Sequence, residues 1–153
     1  MADLFLADEA ATAALGRRLA GALEPGDVVF LEGDLGSGKS TLARACLQAL
    51  AGAAITVPSP TFTLVQTYDF ADLSVFHVDL YRLAPGTPVD DLALEEALET
   101  GALLIEWPDR LAADAFPERL AIRLAWPERG AGRCATLDPG TGWRARRDAL
   151  LAR

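Results

Sequence analysis

The chain is poor in the residues from which metal cages, disulfide frameworks and basic nucleic-acid surfaces are built. Of its 153 residues, two are cysteine (Cys46 and Cys134) and one is histidine (His77). With no CxxC pair among them, they cannot assemble a zinc site. Two lone thiols also suit a reducing cytosol better than a secreted, disulfide-stapled scaffold. Lysine is scarcer still: Lys39 is the only one among 14 basic residues, the rest being arginine. Against 22 acidic residues this leaves a net charge of −8. Such a balance argues against a protein that grips nucleic acid unaided, because phosphate binding needs a basic face. Long hydrophobic runs are missing too, and none reaches the roughly 18 residues of a membrane-spanning helix. The opening MADLFLADEA carries acids where a secretory leader needs bases. The expectation is a cytoplasmic protein with no membrane contact.

What is present is an ordinary globular balance, 51% hydrophobic and 24% charged. The length suits one domain, residues 1–153, with about two thirds of its unfolded surface buried. The plain explanation of the heavy arginine and alanine usage is a GC-rich genome, whose codons favour both. The survival of a single lysine then asks for a reason of its own.

Periodicity sketches an α/β chain. Asp8 to Leu23 reads as an amphipathic helix, with Ala11, Leu15, Leu19 and Leu23 on one face and Asp8 as its N-cap. Pro25-Gly26-Asp27 is a turn. Val28 to Leu31 is a continuous apolar run, as in a buried parallel strand. A glycine-punctuated loop, Gly33 to Gly38, leads into a helix over Thr41 to Leu50 that ends near Gly52. Thr61 to Tyr68 and Ser74 to Leu80 read as an antiparallel strand pair. Val89 to Glu99 reads as a short acidic helix and Ala102 to Ile105 as a second buried strand. Leu120 to Trp126 alternates like a half-exposed strand, with Cys134 to Leu137 as its partner. Trp143 to Ala152 reads as a terminal helix.

The strongest signal is Gly33-Asp34-Leu35-Gly36-Ser37-Gly38-Lys39-Ser40, which fits the phosphate-loop pattern G-x-x-x-x-G-K-[ST]. At this composition roughly 6 × 10⁻⁴ chance matches are expected, and the context, apolar strand before and helix after, is right. Glycines let the backbone approach a phosphate closely, successive N–H groups form an anion nest, and the helix N-terminus adds partial positive charge. Lys39 would reach the β- and γ-phosphates, and Ser40 would offer its hydroxyl to Mg²⁺. That use explains the lone lysine. Glu106, directly after the apolar run Ala102 to Ile105, stands where a metal-side carboxylate is needed; the plainer alternative is an acid that merely ends a strand.

Four segments in order, GDLGSGKST, SPTFTLV (Ser59 to Val65), HVDLYR (His77 to Arg82) and LLIEWPDR (Leu103 to Arg110), resemble the bacterial TsaE (YjeE) family. The likeness runs from about Thr12 to Arg133. It implies a three-layer, P-loop NTPase-like α/β fold, in which a central mixed parallel and antiparallel sheet is flanked by helices. It implies an ATP-binding, Mg²⁺-dependent ATPase, weak alone and partner-dependent, in the tRNA N6-threonylcarbamoyladenosine (t6A) modification machinery. The implied partners are TsaD and TsaB, acting as a TsaD–TsaB heterodimer, with tRNA contacted indirectly through the complex. Carried over by position, Gly36, Ser37, Gly38, Lys39, Ser40 and Thr41 match the nucleotide-binding loop. Asp79 and Glu106 match an acidic pair around metal and attacking water, and Lys39 joins them as a catalytic group. Thr61 lies in a switch-like segment facing the γ-phosphate, and Thr12 and Arg133 match positions near the nucleotide. The implied metal set is Ser40, Glu106 and Asp79, with either acid on the metal side and the other orienting water.

Several residues carry two readings. His77 is a general base or a hydrogen-bonded structural residue. Arg82 is an arginine finger or an ion-pair partner. Trp107 is a stacking platform or an aromatic lid. Arg144, Arg146 and Arg147 beside Trp143 form a basic patch or a solvated helix face. Two other functions fit a phosphate loop: a small-molecule kinase, disfavoured by the absence of an arginine-rich lid between Arg110 and Arg133, and a non-catalytic, nucleotide-gated adaptor.

Overall fold

The computed structural model describes residues 2–151. Its centre is a sheet of seven strands in the order β1-β7-β6-β2-β5-β4-β3. The strands are β1 (Ala2–Leu6), β2 (Val28–Glu32), β3 (Val65–Asp69), β4 (Ser74–Asp79), β5 (Gly101–Glu106), β6 (Leu120–Ala125) and β7 (Arg133–Pro139). β6, β2, β5 and β4 run parallel, and β7, β1 and β3 close the two edges antiparallel. β2 lies between β5 and β6 and buries both faces, which is why Val28 to Leu31 is unbroken apolar sequence.

Among the described residues four helices accompany it: α1 (Glu9–Ala22), α2 (Lys39–Ala51), α3 (Leu94–Ala97) and α4 (Arg147–Leu151). Side-chain alternation splits the core in two. Val29, Leu31, Val75, Ala102 and Leu104 pack with α1 and α2. Val28, Phe30, Val78, Leu103 and Ile105 face the opposite layer, built from Leu94, Leu111 and their neighbours. α1 starts where Asp8 caps the Ala11 amide at 2.9 Å. α1 and α2 meet closely at Gly16, where a Cβ would stand 2.4 Å from the Leu42 carbonyl oxygen. No described helix is long and apolar enough to cross a membrane.

The expected three-layer mixed sheet is therefore present, with local differences. β1 is an additional strand, held by pairing with β7. The strand expected from Thr61 begins only at Val65, because Pro60 to Leu64 form a turn with Leu64 at φ 68°. The acidic helix is broken at Ala93, φ 52°, into a 3-10 turn (Asp90–Leu92) and α3. The terminal helix is likewise split, into a 3-10 turn (Thr141–Trp143) and α4, and its expected end at Ala152 falls outside the described residues.

Candidate functional site

The glycine loop between β2 and α2 turns with Gly33, Gly36 and Gly38 at φ 143°, 80° and 112°. These are values that side-chain-bearing residues rarely adopt. At Gly33 a Cβ would also stand 2.5 Å from the Leu124 carbonyl oxygen. Gly38 is the N-cap of α2 and offers no side chain, so no side-chain group satisfies the first amides of the helix. They remain available to an anion, which the helix dipole favours.

The sheet brings the acids to this loop. β4 and β5 are parallel with Asp79 opposite Glu106 and His77 opposite Leu104. Odd positions on β4 and even positions on β5 face the α2 layer, so His77, Asp79 and Glu106 all come up beneath the start of α2. A cavity of about 340 Å³ lies there. Its lining includes Gly36, Gly38, Lys39, Ser40, Thr41, Thr61, Asp79 and Glu106, predicted from sequence. Trp107 forms a further wall, and Leu35, Ser59 and Tyr81 are additional lining residues. Ser59 belongs to the SPTF motif, which was its available signal. Tyr81 lies beyond the end of β4 and reaches the cavity from the segment that follows the strand.

Within the cavity Glu106 accepts from Ser40 Oγ at 3.4 Å and pairs with His77 Nε2 at 2.6 Å. Asp79 accepts from Thr61 Oγ1 at 2.9 Å and from the Tyr81 amide at 2.9 Å, and Thr61 contacts Ser59 Oγ at 2.7 Å. The two carboxylates are therefore distinguished: one is tied to the helix hydroxyl, the other to the Ser59–Thr61 segment. Lys39 is 5% exposed. Its ammonium donates to the Gly33 and Asp34 carbonyls at 2.6 and 3.0 Å and sits 4.3 Å from the Trp107 ring centre. Burial pushes its pKa down, opposed by the negative field of Glu106, Asp79, Asp34 and Asp109. Trp107, at φ 60°, packs against Tyr81 with ring centres 4.8 Å apart, and so covers the lysine as a lid.

A second cavity, about 360 Å³, lies on the other side of the loop and shares Gly36, Gly38 and Thr41 with the first. Thr12, Ser37 and Arg133 line it, beside Asp8 and Glu9. Arg133 donates to the Gly36 carbonyl at 3.2 Å, and its guanidinium lies 4.6 Å from the Trp126 ring centre. Residues near the two ends of the chain thus reach one loop.

Other expectations part company with the site. The Arg82 guanidinium lies 5.0 Å from the Phe62 ring centre, and no described carboxylate forms an ion pair with it. Arg146 is neither a free basic patch nor a solvated face: it turns inward onto Asp27 in a two-pronged pair at 2.6 and 2.8 Å. Among the described residues no three His, Cys, Asp or Glu side chains converge as a metal cage. Ser40, Asp79 and Glu106 nonetheless present hard oxygen donors beside a phosphate loop. That set fits a Mg²⁺ ion drawing its remaining ligands from phosphate and water.

A parallel core, the glycine loop at the carboxyl end of β2 and the acids on neighbouring strand ends define a P-loop NTPase-like protein. The family profile described as "Threonylcarbamoyl adenosine biosynthesis protein TsaE" matches residues 6–133, and the chain belongs to that family. The TsaE protein of Rickettsia felis is 37% identical over 79% of this chain and 71% of its own length. That of a Nostoc species is 43% identical over 72% of this chain and 70% of its own. In three dimensions the chain is similar to the crystal structure of Bacillus subtilis YdiB, with a TM-score of 0.81, 28% identity and coverage of 97% and 93% of the two chains. The family places the chain in tRNA threonylcarbamoyladenosine biosynthesis.

Proposed function

We propose that the chain binds ATP with Mg²⁺ along its glycine loop and hydrolyses it in the service of the TsaD–TsaB complex. The observation that carries this reading is the convergence of unsatisfied helix amides, the chain's one lysine, the Ser40 hydroxyl and two in-register carboxylates on a single cavity. The triphosphate brings about four negative charges, and Mg²⁺ neutralises two of them. The positive charge of Lys39 neutralises one more, the ammonium exchanging its Gly33 and Asp34 carbonyls for phosphate oxygens. A carboxylate placed directly against phosphate would repel it, so each acid acts through metal or water. Glu106, bonded to Ser40, is assigned to the metal side. Asp79, bonded to Thr61, is assigned to the water side, with Thr61 reporting the state of the Ser59–Thr61 segment. Thr12 and Arg133 flank the nucleoside end.

Among the described residues no complete set of base and arginine finger surrounds the cavity, so turnover is slow alone and rises with a partner. The partner also supplies contact with tRNA, which a chain of net charge −8 is poorly suited to hold unaided. The working location is the cytoplasm.

The decisive experiment combines two measurements. Isothermal titration of Mg·ATP into the protein and into Lys39→Ala should show affinity falling roughly 10- to 100-fold, the worth of a charge-assisted contact. Mixing with TsaD and TsaB should give co-elution and faster phosphate release together. Unchanged binding by Lys39→Ala would refute the nucleotide site, and absence of both partner effects would refute the coupling.

A further inference from the structure

We propose that His77 is a positioning residue that sets the orientation of the Glu106 carboxylate. The inference rests on the reading of Glu106 as the metal-side acid. His77 and Glu106 are both 2% exposed, and their 2.6 Å contact is made through His77 Nε2 and Glu106 Oε2. The other carboxylate oxygen, Oε1, receives the Ser40 hydroxyl. One oxygen is thus held from below by the imidazole, which leaves the other directed at the loop. The opposite ring nitrogen, Nδ1, is buried and has no hydrogen-bond partner among the described residues. The imidazole is therefore spent on one contact: Nε2 faces Oε2, where a carboxylate accepts from an N–H, and nothing described beside Nδ1 would hold a proton there.

The carboxylate needs such a tie. Glu106 is the last residue of β5, followed at once by Trp107 in the left-handed region. A glutamate side chain has three rotatable bonds, each of which must be ordered before the carboxylate can hold a fixed direction. With the histidine contact formed, that ordering is complete before any ligand arrives. Outer partners of this kind, which orient a metal-side group, typically change metal affinity or activity by about 10- to 100-fold when removed. A general-base role is disfavoured by the same geometry, because the ring is sealed beneath Glu106 and does not line the cavity.

His77 is the only histidine in the chain, so its ring signals in a ¹⁵N-labelled sample need no assignment strategy. A long-range ¹H–¹⁵N spectrum of the protein alone should show the Nε2–H tautomer, with the proton shifted downfield, and Glu106→Gln should move it upfield. A second arm reads the Mg²⁺ concentration that half-saturates enhancement of ATP binding. His77→Met removes the donor and should raise that concentration about 10- to 100-fold, leaving Mg²⁺-free ATP binding within about twofold. His77→Gln, whose amide nitrogen occupies the Nε2 position, should restore most of the loss. His77→Asn, too short to reach, should not. Circular dichroism establishes which variants fold.

An Nδ1–H tautomer in the unaltered protein overturns the proposal whether or not any variant folds. So does a folded His77→Met or His77→Asn that needs no more Mg²⁺, or a folded His77→Gln as impaired as His77→Met. If the unaltered protein shows the Nε2–H signal yet binds no ATP, the nucleotide reading has failed, and the positioning role toward metal falls with it.

Discussion

At the scale of single residues the site separates two carboxylates that composition alone could not tell apart. Glu106 touches the Ser40 hydroxyl and Asp79 touches Thr61. Glu106→Gln should therefore raise the Mg²⁺ needed for tight ATP binding at least tenfold. Asp79→Asn should leave binding within about threefold and lower partner-stimulated turnover by roughly 10²- to 10⁴-fold, the usual range for a group that handles a proton. Equal loss of Mg²⁺ dependence in both variants would show that the assignments are not distinct. Lys39 adds a pH dependence whose sign follows from its burial. Its pKa lies below the ordinary 10.5. As pH climbs through the interval between the lowered value and 10.5, the unfolded chain holds a proton that the folded chain has released. Stability contributed by this group consequently rises with pH in that alkaline window, and the desolvation cost is fully present below it. Lys39→Met lacks this term, so the stability of the variant relative to the parent should shrink as pH enters the window. Parallel denaturant melts across that range provide the check. A constant difference would mean that burial does not perturb the lysine. The thiols make a simpler case. Burial pushes Cys46 up to about 12, whereas Cys134 is half-buried. A thiol reagent at pH 8 should titrate Cys134 first and reach Cys46 only on unfolding.

At the scale of elements, the strand–loop–helix unit from Val28 to Gly52 was legible because every local signal agreed. An apolar run, positive-φ glycines and a helix closed by Gly52 in the left-handed conformation all point one way. The parts that were not legible depend on partners far along the chain. Ala2–Leu6 is short and carries an acid, Asp3, within it, and becomes a strand because β7 lies beside it. Thr61 to Leu64 has strand-forming composition, yet the Pro60 carbonyl accepts from the Leu64 amide and turns the chain. Ala93 interrupts a segment whose composition favours helix throughout. The identities of Asp79 and Glu106 could be read from sequence, but their pairing opposite one another is a property of β4–β5 register, which sequence does not display. The close crossing of α1 and α2 is similarly hidden, and it gives opposite outcomes for the same substitution on one helix. Gly16→Ala drives a Cβ to 2.4 Å from the Leu42 carbonyl oxygen. It should destabilise by about 1–3 kcal/mol. Gly21→Ala meets nothing within 4 Å. It should stabilise by about 0.5–1 kcal/mol through backbone entropy and helix propensity. Thermal melts moving in opposite directions test the pair, and a neutral Gly16→Ala would show that the two helices can separate at little cost.

At the scale of the whole molecule, the ends of the chain brace the middle. β1 pairs with β7, α1 supplies Thr12, and the first residue of β7, Arg133, donates to the Gly36 carbonyl. The C-terminal segment is fastened at the far end of α1. Arg146 bonds both oxygens of Asp27, and also the Ala22 and Gly142 carbonyls, while its guanidinium lies 3.9 Å from the centre of the buried Trp143 ring. Arg18 reaches the Leu150 carbonyl at 2.8 Å. Hydrogen bonding to Asp27 holds the Arg146 pKa above its ordinary value, against the opposing effect of burial. Because Asp27 immediately precedes β2, this staple joins the last segment to the strand that launches the phosphate loop. Its geometry is two-pronged and its side chains are only 21% and 10% exposed, so it should be worth more than a surface ion pair. Arg146→Met should cost about 2 kcal/mol of unfolding free energy, in line with hydrogen bonds to charged groups. The site lies at the opposite ends of the strands, so ATP affinity should change less than about twofold. Asp27→Asn should cost a similar amount, and the double variant should lose little more than the worse single one, because both changes break the same contact. Salt at 1 M should leave the parent protein's advantage over Arg146→Met largely intact, since a half-buried pair is screened far less than an exposed one. Additive losses in that cycle would show that Arg146 and Asp27 stabilise the fold separately and that no staple joins them.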